Sequence, residues 1–549
     1  MRLVLISILI FLVLNESAYS YSSSGRSASN KKKVQNEMNA EMENVMTKKK
    51  VNLPKNSKIE CDKSQSNVRK TTDDGFFINQ MASVALNFAR SDSTVQVESK
   101  FCPFTKVDCD LNYKYRSVDG KCNNLDNPLR GAANTPYKRL LPPAYEDNLE
   151  TVRSKAVSGE PLPHPRIISL TISPPSKNQF ERKITQVFPI FGQFFIHDSA
   201  LTSANTDQNG MEIECPCEST DPICIGLEWP KNDQFLNQKC MKFTRSSATF
   251  PDFECSIAYR EQLNLLSAYL DGSVIYGIDQ ERANQLRTFS QGLLRTSEPI
   301  VGRQRRVLNG SYLPLADDTC SSTEAKAFNC FLAGEVRTSE NLALVSMHTL
   351  FMREHNRIAG ALAVNNPGWT DEEIYQEARR IVIAILQHIV YSEWLPILIG
   401  EESLSPDLTK TEYYTGYDSQ INPAIANEFS TAAFRFGHTL IRDKFTRYDE
   451  NDQKIKAINF TDMSFKSDWA YNIKGEGIQS ILRGMVTDKC KKFGSFGFEL
   501  QNKLFGKIEN NEFTAIDLLS ANIQRGRDHG IRPYVDYVKI CHGIDAKDF

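Results

Sequence analysis

Gln193 and His197 stand four residues apart in Phe191-Gly-Gln193-Phe-Phe-Ile-His197-Asp198, a spacing that puts both on one face of a helix. A histidine beside an acid in apolar sequence is either a satisfied structural group or an acid–base catalyst, and these residues alone do not choose. The other familiar chemistries find no support. The eight histidines include no His-Glu-x-x-His or His-x-x-x-His pair, which weakens zinc hydrolysis. A Gly-x-Ser-x-Gly elbow, a Walker loop and a Rossmann glycine turn are also missing.

The elements that must position such residues read as helices. Thr370 with Glu373 has the form of a capping box, and Ile374, Ala378, Ile381 and Ile385 follow at three- and four-residue steps. Leu342 to Leu362 has similar periodicity and stops before Asn365-Asn366-Pro367. Pro189 falls inside the apolar stretch before His197 and is expected to kink that helix. Alternating β-branched runs are scarce and no internal repeat is visible, so one large, mainly α domain with little β is expected over 101–549.

Met1 and Arg2 precede an apolar run from Leu3 to Leu14 and then Ala18-Tyr19-Ser20, the form of a cleaved signal peptide over 1–20. That run is shorter than the roughly 20 residues of a spanning helix, and no later segment reads as long and apolar enough to span. Residues 21–100 are Ser-, Asn-, Lys- and Glu-rich, as in a propeptide or flexible basic arm. A secreted, extracellular chain would meet an oxidising compartment in which its 13 cysteines mostly pair. Asn309 and Asn459 begin glycosylation sequons. A formal charge of -2 gives no global field for nucleic acid or an anionic membrane.

Beyond these features the chain resembles the animal haem peroxidase family. The resemblance rests on Tyr115-Arg-Ser-Val-Asp-Gly-Lys-Cys-Asn-Asn-Leu125, Arg139-Leu-Leu-Pro-Pro-Ala-Tyr145, Phe191 to Asp198, and Leu270-Asp-Gly-Ser-Val-Ile-Tyr-Gly277. It continues through Phe331-Leu-Ala-Gly334 with Arg337 and Glu340, Met347 to Arg357, Phe434-Arg-Phe-Gly-His438 and Asn522-Ile-Gln-Arg-Gly-Arg-Asp-His-Gly530, all in the family's order.

The resemblance implies a haem b held between distal and proximal helices. His197 matches the distal acid–base histidine, Arg337 the distal arginine that stabilises the peroxide anion, and Gln193 a residue that orders distal water or halide. His438 matches the axial ligand of the haem iron, Asn522 the asparagine accepting a hydrogen bond from its other ring nitrogen, and Arg435 a residue near a propionate. Asp198 with Ser267, Tyr269 (through its carbonyl), Asp271 and Ser273 matches a calcium loop of hard oxygen ligands.

The chain also departs from the pattern. Ile196 stands where many mammalian members carry an ester-forming aspartate. Glu340 retains the second ester carboxylate, so at most one covalent haem link is expected. Asn341 replaces a sulfonium-forming methionine, which argues for a less oxidising haem and against chloride oxidation.

Family members continue past Cys541 by roughly one small domain. A truncated end at Phe549 is therefore expected, leaving Cys541 as the spare thiol. Cys109 with Cys122 and Cys320 with Cys330 follow family spacing, and Cys215, Cys217, Cys224, Cys240 and Cys255 are expected to hold two further bridges.

The implied activity is a peroxidase using hydrogen peroxide to oxidise phenols, with protein-tyrosine cross-linking, or a halide or thiocyanate. The alternative is an inactive peroxidase-fold matrix or adhesion protein. A fatty-acid oxygenase is remote because its tyrosine site is not visible.

Overall fold

The computed structural model describes residues 28–49, 73–92, 94–174, 179–207, 212–297, 311–320, 328–404, 414–471, 477–509 and 512–545. The expected signal peptide, Asn309 and Phe549 lie outside them. Helix outweighs strand by 43% to 13%, as the mainly α expectation requires.

The segment expected to be a propeptide or flexible basic arm carries two helices, α1 (Ala28–Lys49) and α2 (Asp73–Ser91). Met38 and Met42 of α1 and Met81 of α2 are fully buried against one another and against Phe101, Ala248, Phe250 and Cys255. Asn79 accepts a hydrogen bond from the Ala248 main-chain N–H at 3.1 Å. The pair thus seats on the edge of a three-stranded sheet ordered Thr135–Pro136, Glu261–Asn264, Ala248–Thr249. A Cys102–Cys255 disulfide ties the two parts together.

The core is built around α3 (Val187–Ser199), α4 (Leu342–Asn365) and α5 (Asp371–His388). Nearly all of α3 is buried, which accounts for its almost unbroken apolar sequence. Pro189 sits in its first turn, where the main-chain N–H groups have no intrahelical acceptor. The expected kink is therefore absent as a consequence of position. Gly192 leaves room for the Trp394 ring, to which a β-carbon there would lie 3.0 Å distant, and Trp394 stacks on Phe188 at 4.8 Å.

Asn341 caps α4 by accepting from Leu344 N–H, and Thr370 with Glu373 forms the expected capping box on α5. Contrary to the sequence reading, the helix that continues from α5 to Ile399 is, among the described residues, long and apolar enough to cross a membrane by length and composition. Here Ile374, Ala378, Val382 and Leu386 of that helix are packed into the core.

Cys109–Cys122, Cys215–Cys224 and Cys217–Cys240 are bridged, and Cys330 is disulfide-bonded. The cluster of five cysteines does hold two bridges, while Cys255 pairs outside it. Cys541 is free, but so is the buried Cys490, so Cys541 is not the sole spare thiol. Asn459 is not on a surface loop. It lies in a short strand, half-buried, with its amide donating to Asp462 at 2.8 Å.

Candidate active site

A cavity of about 480 Å³ opens between α3, the 3₁₀ segment Ala433–Leu440 and α6 (Leu518–Asp528). His197, Gln193, Arg337, Glu340, Arg435 and His438 all line it, among apolar neighbours that include Phe188, Ile196, Phe434 and Leu518. Residues widely separated in the chain thus converge on one space.

On one side, His197 is buried near the end of α3, with its Nδ1 3.8 Å from Glu335 Oε2. Arg337 follows Glu335 on the 3₁₀ turn Val336–Ser339. Its Nε donates to Glu335 Oε1 at 2.6 Å and its Nη2 to the Ala200 carbonyl at 3.1 Å. Gln193 lies one turn before His197 as the spacing required. Its amide is engaged by the protein, donating to Glu340 Oε2 at 3.0 Å and accepting from Asn341 at 3.3 Å.

On the other side, His438 ends the Phe-Arg-Phe-Gly-His motif on a 3₁₀ segment rather than an α-helix. Its Nδ1 lies 3.0 Å from Asn522 Nδ2, while Arg435 Nη1 donates to Asn522 Oδ1 at 2.8 Å. The contact between Asn522 and His438 is as expected, but the amide presents its nitrogen to the ring because Arg435 claims the oxygen. Burial, then the Arg435 charge, pushes the His438 imidazole down to about 3, leaving it neutral as a metal ligand must be.

Arg435 itself is pushed down to about 10 by burial and then by Arg525, and its Nε has no hydrogen-bond partner among the described residues. Cations crowded beside an apolar cavity suit an anionic, largely apolar ligand. A haem with its propionates has that character, with His438 as the available neutral donor. Arg525 also lines the cavity, but it is already paired with Asp528 at 2.8 Å.

Asp198, next after His197, points away from the cavity into the loop 267–273. Its Oδ1 accepts from Val274 N–H at 2.9 Å, its Oδ2 from Gly272 N–H at 3.2 Å, and its carbonyl from Ser273 Oγ at 2.6 Å. Asp271 is equally buried and its Oδ2 has no hydrogen-bond partner among the described residues. Burial raises both carboxyls, and for Asp198 the charge of Asp271 adds to it.

Two buried carboxylates with the hydroxyls of Ser267 and Ser273 form a hard-oxygen set suited to calcium. The Tyr269 ring points out of the set, its hydroxyl donating to the Arg130 carbonyl, so only its main chain is left for an ion. Among the described residues no group of three His, Cys, Asp or Glu forms a metal site, so an ion here would depend on hydroxyl and carbonyl oxygens as well.

Residues 115–549 match the family model for animal haem peroxidases. The chain belongs to the animal haem peroxidase family. It is 36% identical over 462 residues to peroxidasin of Drosophila melanogaster, covering 81% of this chain and 30% of that protein. It is 38% identical over 464 residues to the human peroxidasin homolog, 80% of this chain and 30% of that one. Chorion peroxidase of Drosophila melanogaster is 35% identical over 447 residues, 78% of this chain and 53% of that protein. The chain spans about a third of the length of the peroxidasins it matches.

Among solved structures, peroxidase A of Dictyostelium discoideum superposes with a TM-score of 0.62 at 28% identity, covering 79% of each chain. The fatty acid alpha-dioxygenase of Arabidopsis thaliana reaches 0.60 at 17% identity over 100% of this chain and 79% of its own, a likeness of fold alone.

The sequence reading of this member of the family missed Glu335, which lies two residues before Arg337. The available signal was a carboxylate in the same short motif as Arg337, Gly334-Glu335-Val336-Arg337.

Proposed function

We propose that the protein is a secreted haem peroxidase that uses hydrogen peroxide to oxidise phenols, protein tyrosines included, or iodide, bromide or thiocyanate. The observation that carries this reading is the shared cavity of His197 and His438, two imidazoles from distant parts of the chain. A haem b held by His438 would supply the electrons that reduce peroxide and would then withdraw them from the reductant.

The chain's own residues handle protons and charge. His197 accepts the proton of one peroxide oxygen and returns it to the other, so that the departing oxygen leaves as water. Arg337 stabilises the negative charge that develops between those events. Asn522 orients the His438 ring, and Arg435 supplies a cation that would pair with a carboxylate of a bound haem. Gln193 orders a distal water or halide. Asp198, Ser267, Asp271, Ser273 and the Tyr269 carbonyl would hold a calcium ion, which would brace the end of α3 and with it the His197 ring.

The test is spectroscopic. Purified protein loaded with haem is expected to show a Soret band that shifts on adding peroxide, followed by tyrosine coupling or oxidation of one of the halides. Protein that stays colourless after haem reconstitution would remove the proposal.

A further inference from the structure

The proposed reaction gives Glu335 no part, yet its carboxylate lies between the two distal groups that do the work. Its side chain is 1% exposed and that of His197 is 6% exposed, so little solvent screens one from the other. One oxygen, Oε1, accepts from Arg337 Nε, and the other, Oε2, accepts from the Arg337 main-chain N–H, both at 2.6 Å. That second oxygen is also the one 3.8 Å from His197 Nδ1.

The carboxylate has little freedom to be elsewhere. The preceding Gly334 is pressed against the turn that follows the calcium loop, where a β-carbon would fall 2.3 Å from the Ser273 carbonyl and 2.4 Å from Gly277 N. The backbone at 334–335 is therefore set by the same loop that clasps Asp198, and Arg337 closes the geometry from the other side.

A neutral imidazole carries its proton on one of two nitrogens, and the neighbour of each decides which. With the proton on Nδ1, a donor faces the buried carboxylate. With the proton on the other nitrogen, the Nδ1 lone pair faces a negative charge in a site of low dielectric, which is unfavourable. We propose that Glu335 is a positioning residue that holds His197 in the Nδ1–H tautomer, leaving Nε2 free to take the proton of peroxide, while the same carboxylate fixes Arg337. This rests on the peroxidase reading of His197.

The experiment uses full-length protein labelled with ¹⁵N-histidine, in which the His197 ring signals are assigned by their loss in His197→Gln. At neutral pH the parent chain is expected to show the Nδ1–H pattern, and Glu335→Gln a shift toward the other tautomer. The rate of reaction with peroxide after haem loading is expected to fall about tenfold to a hundredfold in Glu335→Gln. Glu335→Asp, which keeps the charge, is expected to retain the tautomer and recover part of the rate. It also serves as the decisive variant if Glu335→Gln does not fold.

An unchanged tautomer with a rate within about twofold of the parent in Glu335→Gln would overturn the proposal on the scale expected for such a contact. So would a Glu335→Asp chain that has lost the tautomer. A parent chain that binds haem but ignores peroxide sinks the peroxidase reading instead, since the ring tautomer is read independently of turnover.

Discussion

Asn522 Nδ2 lies 3.0 Å from His438 Nδ1, and the same amide accepts from Arg435 at 2.8 Å. For His438 to bond a metal through its other nitrogen, Nδ1 must carry a proton and face an acceptor, so the amide has to present its oxygen and release Arg435 toward the cavity. Asn522→Leu removes that acceptor. It is expected to weaken haem retention by about tenfold to a hundredfold, measured as the rate of haem transfer to an acceptor globin. Retention equal to the parent would contradict the assignment.

The two histidines should separate in their phenotypes. His438→Ala is expected to abolish haem capture, leaving no Soret band after reconstitution. His197→Ala should keep the colour but slow peroxide cleavage by about 10²-fold or more, the loss expected for an acid–base group. Equal colour and equal rate in both variants would show the roles to be wrongly assigned.

Ile196 offers no carboxylate, whereas Glu340 reaches the cavity. Tryptic digestion of peroxide-treated holoprotein is therefore expected to yield haem bound through the Glu340 peptide or not at all. A haem linked to two peptides in the mass spectrum is incompatible with this arrangement.

Acid should destabilise the fold through its buried imidazoles. Burial is the first cause that pushes His348 down to about 3 and His355 down to about 4, so both stay neutral in the native state. In the unfolded chain they protonate near 6.5, which makes the unfolded state the better proton binder below that value. Tm is expected to fall steadily from pH 6.5 toward 4, with a shallower slope in His348→Leu. A slope unaltered by that substitution would count against His348 as a source.

The helices α1 and α2 should behave as part of the folded body. Met81 is fully buried between α1 and the sheet edge, so Met81→Ala should cost about 2–5 kcal/mol and lower Tm. A change within error would favour the reading of this segment as a propeptide or flexible arm.

The sequence by itself determined the helical class, the α5 capping box, and the pairing of Gln193 with His197 on one face, because each depends on neighbours within a turn of helix. It also singled out Gln193, His197, Arg337, Glu340, Arg435 and His438, all of which line the cavity, because short motifs preserve the order of the family's parts, but not Glu335, which lies beside Arg337 and His197 without lining it. The N-terminal helices were hidden for a physical reason. Val34, Met38, Met42 and Val45 form a narrow apolar stripe in an otherwise polar stretch, and it becomes stable only against Met81 and the Ala248–Phe250 edge.

Tertiary structure alone decided how Glu335, Arg337 and His197 meet. Gly334 lies against Ser273, Glu335 spans the gap between Arg337 and His197, and Cys255 reaches Cys102 rather than its sequence neighbours. Contacts of this kind follow from where the chain returns in space, which no local spacing encodes.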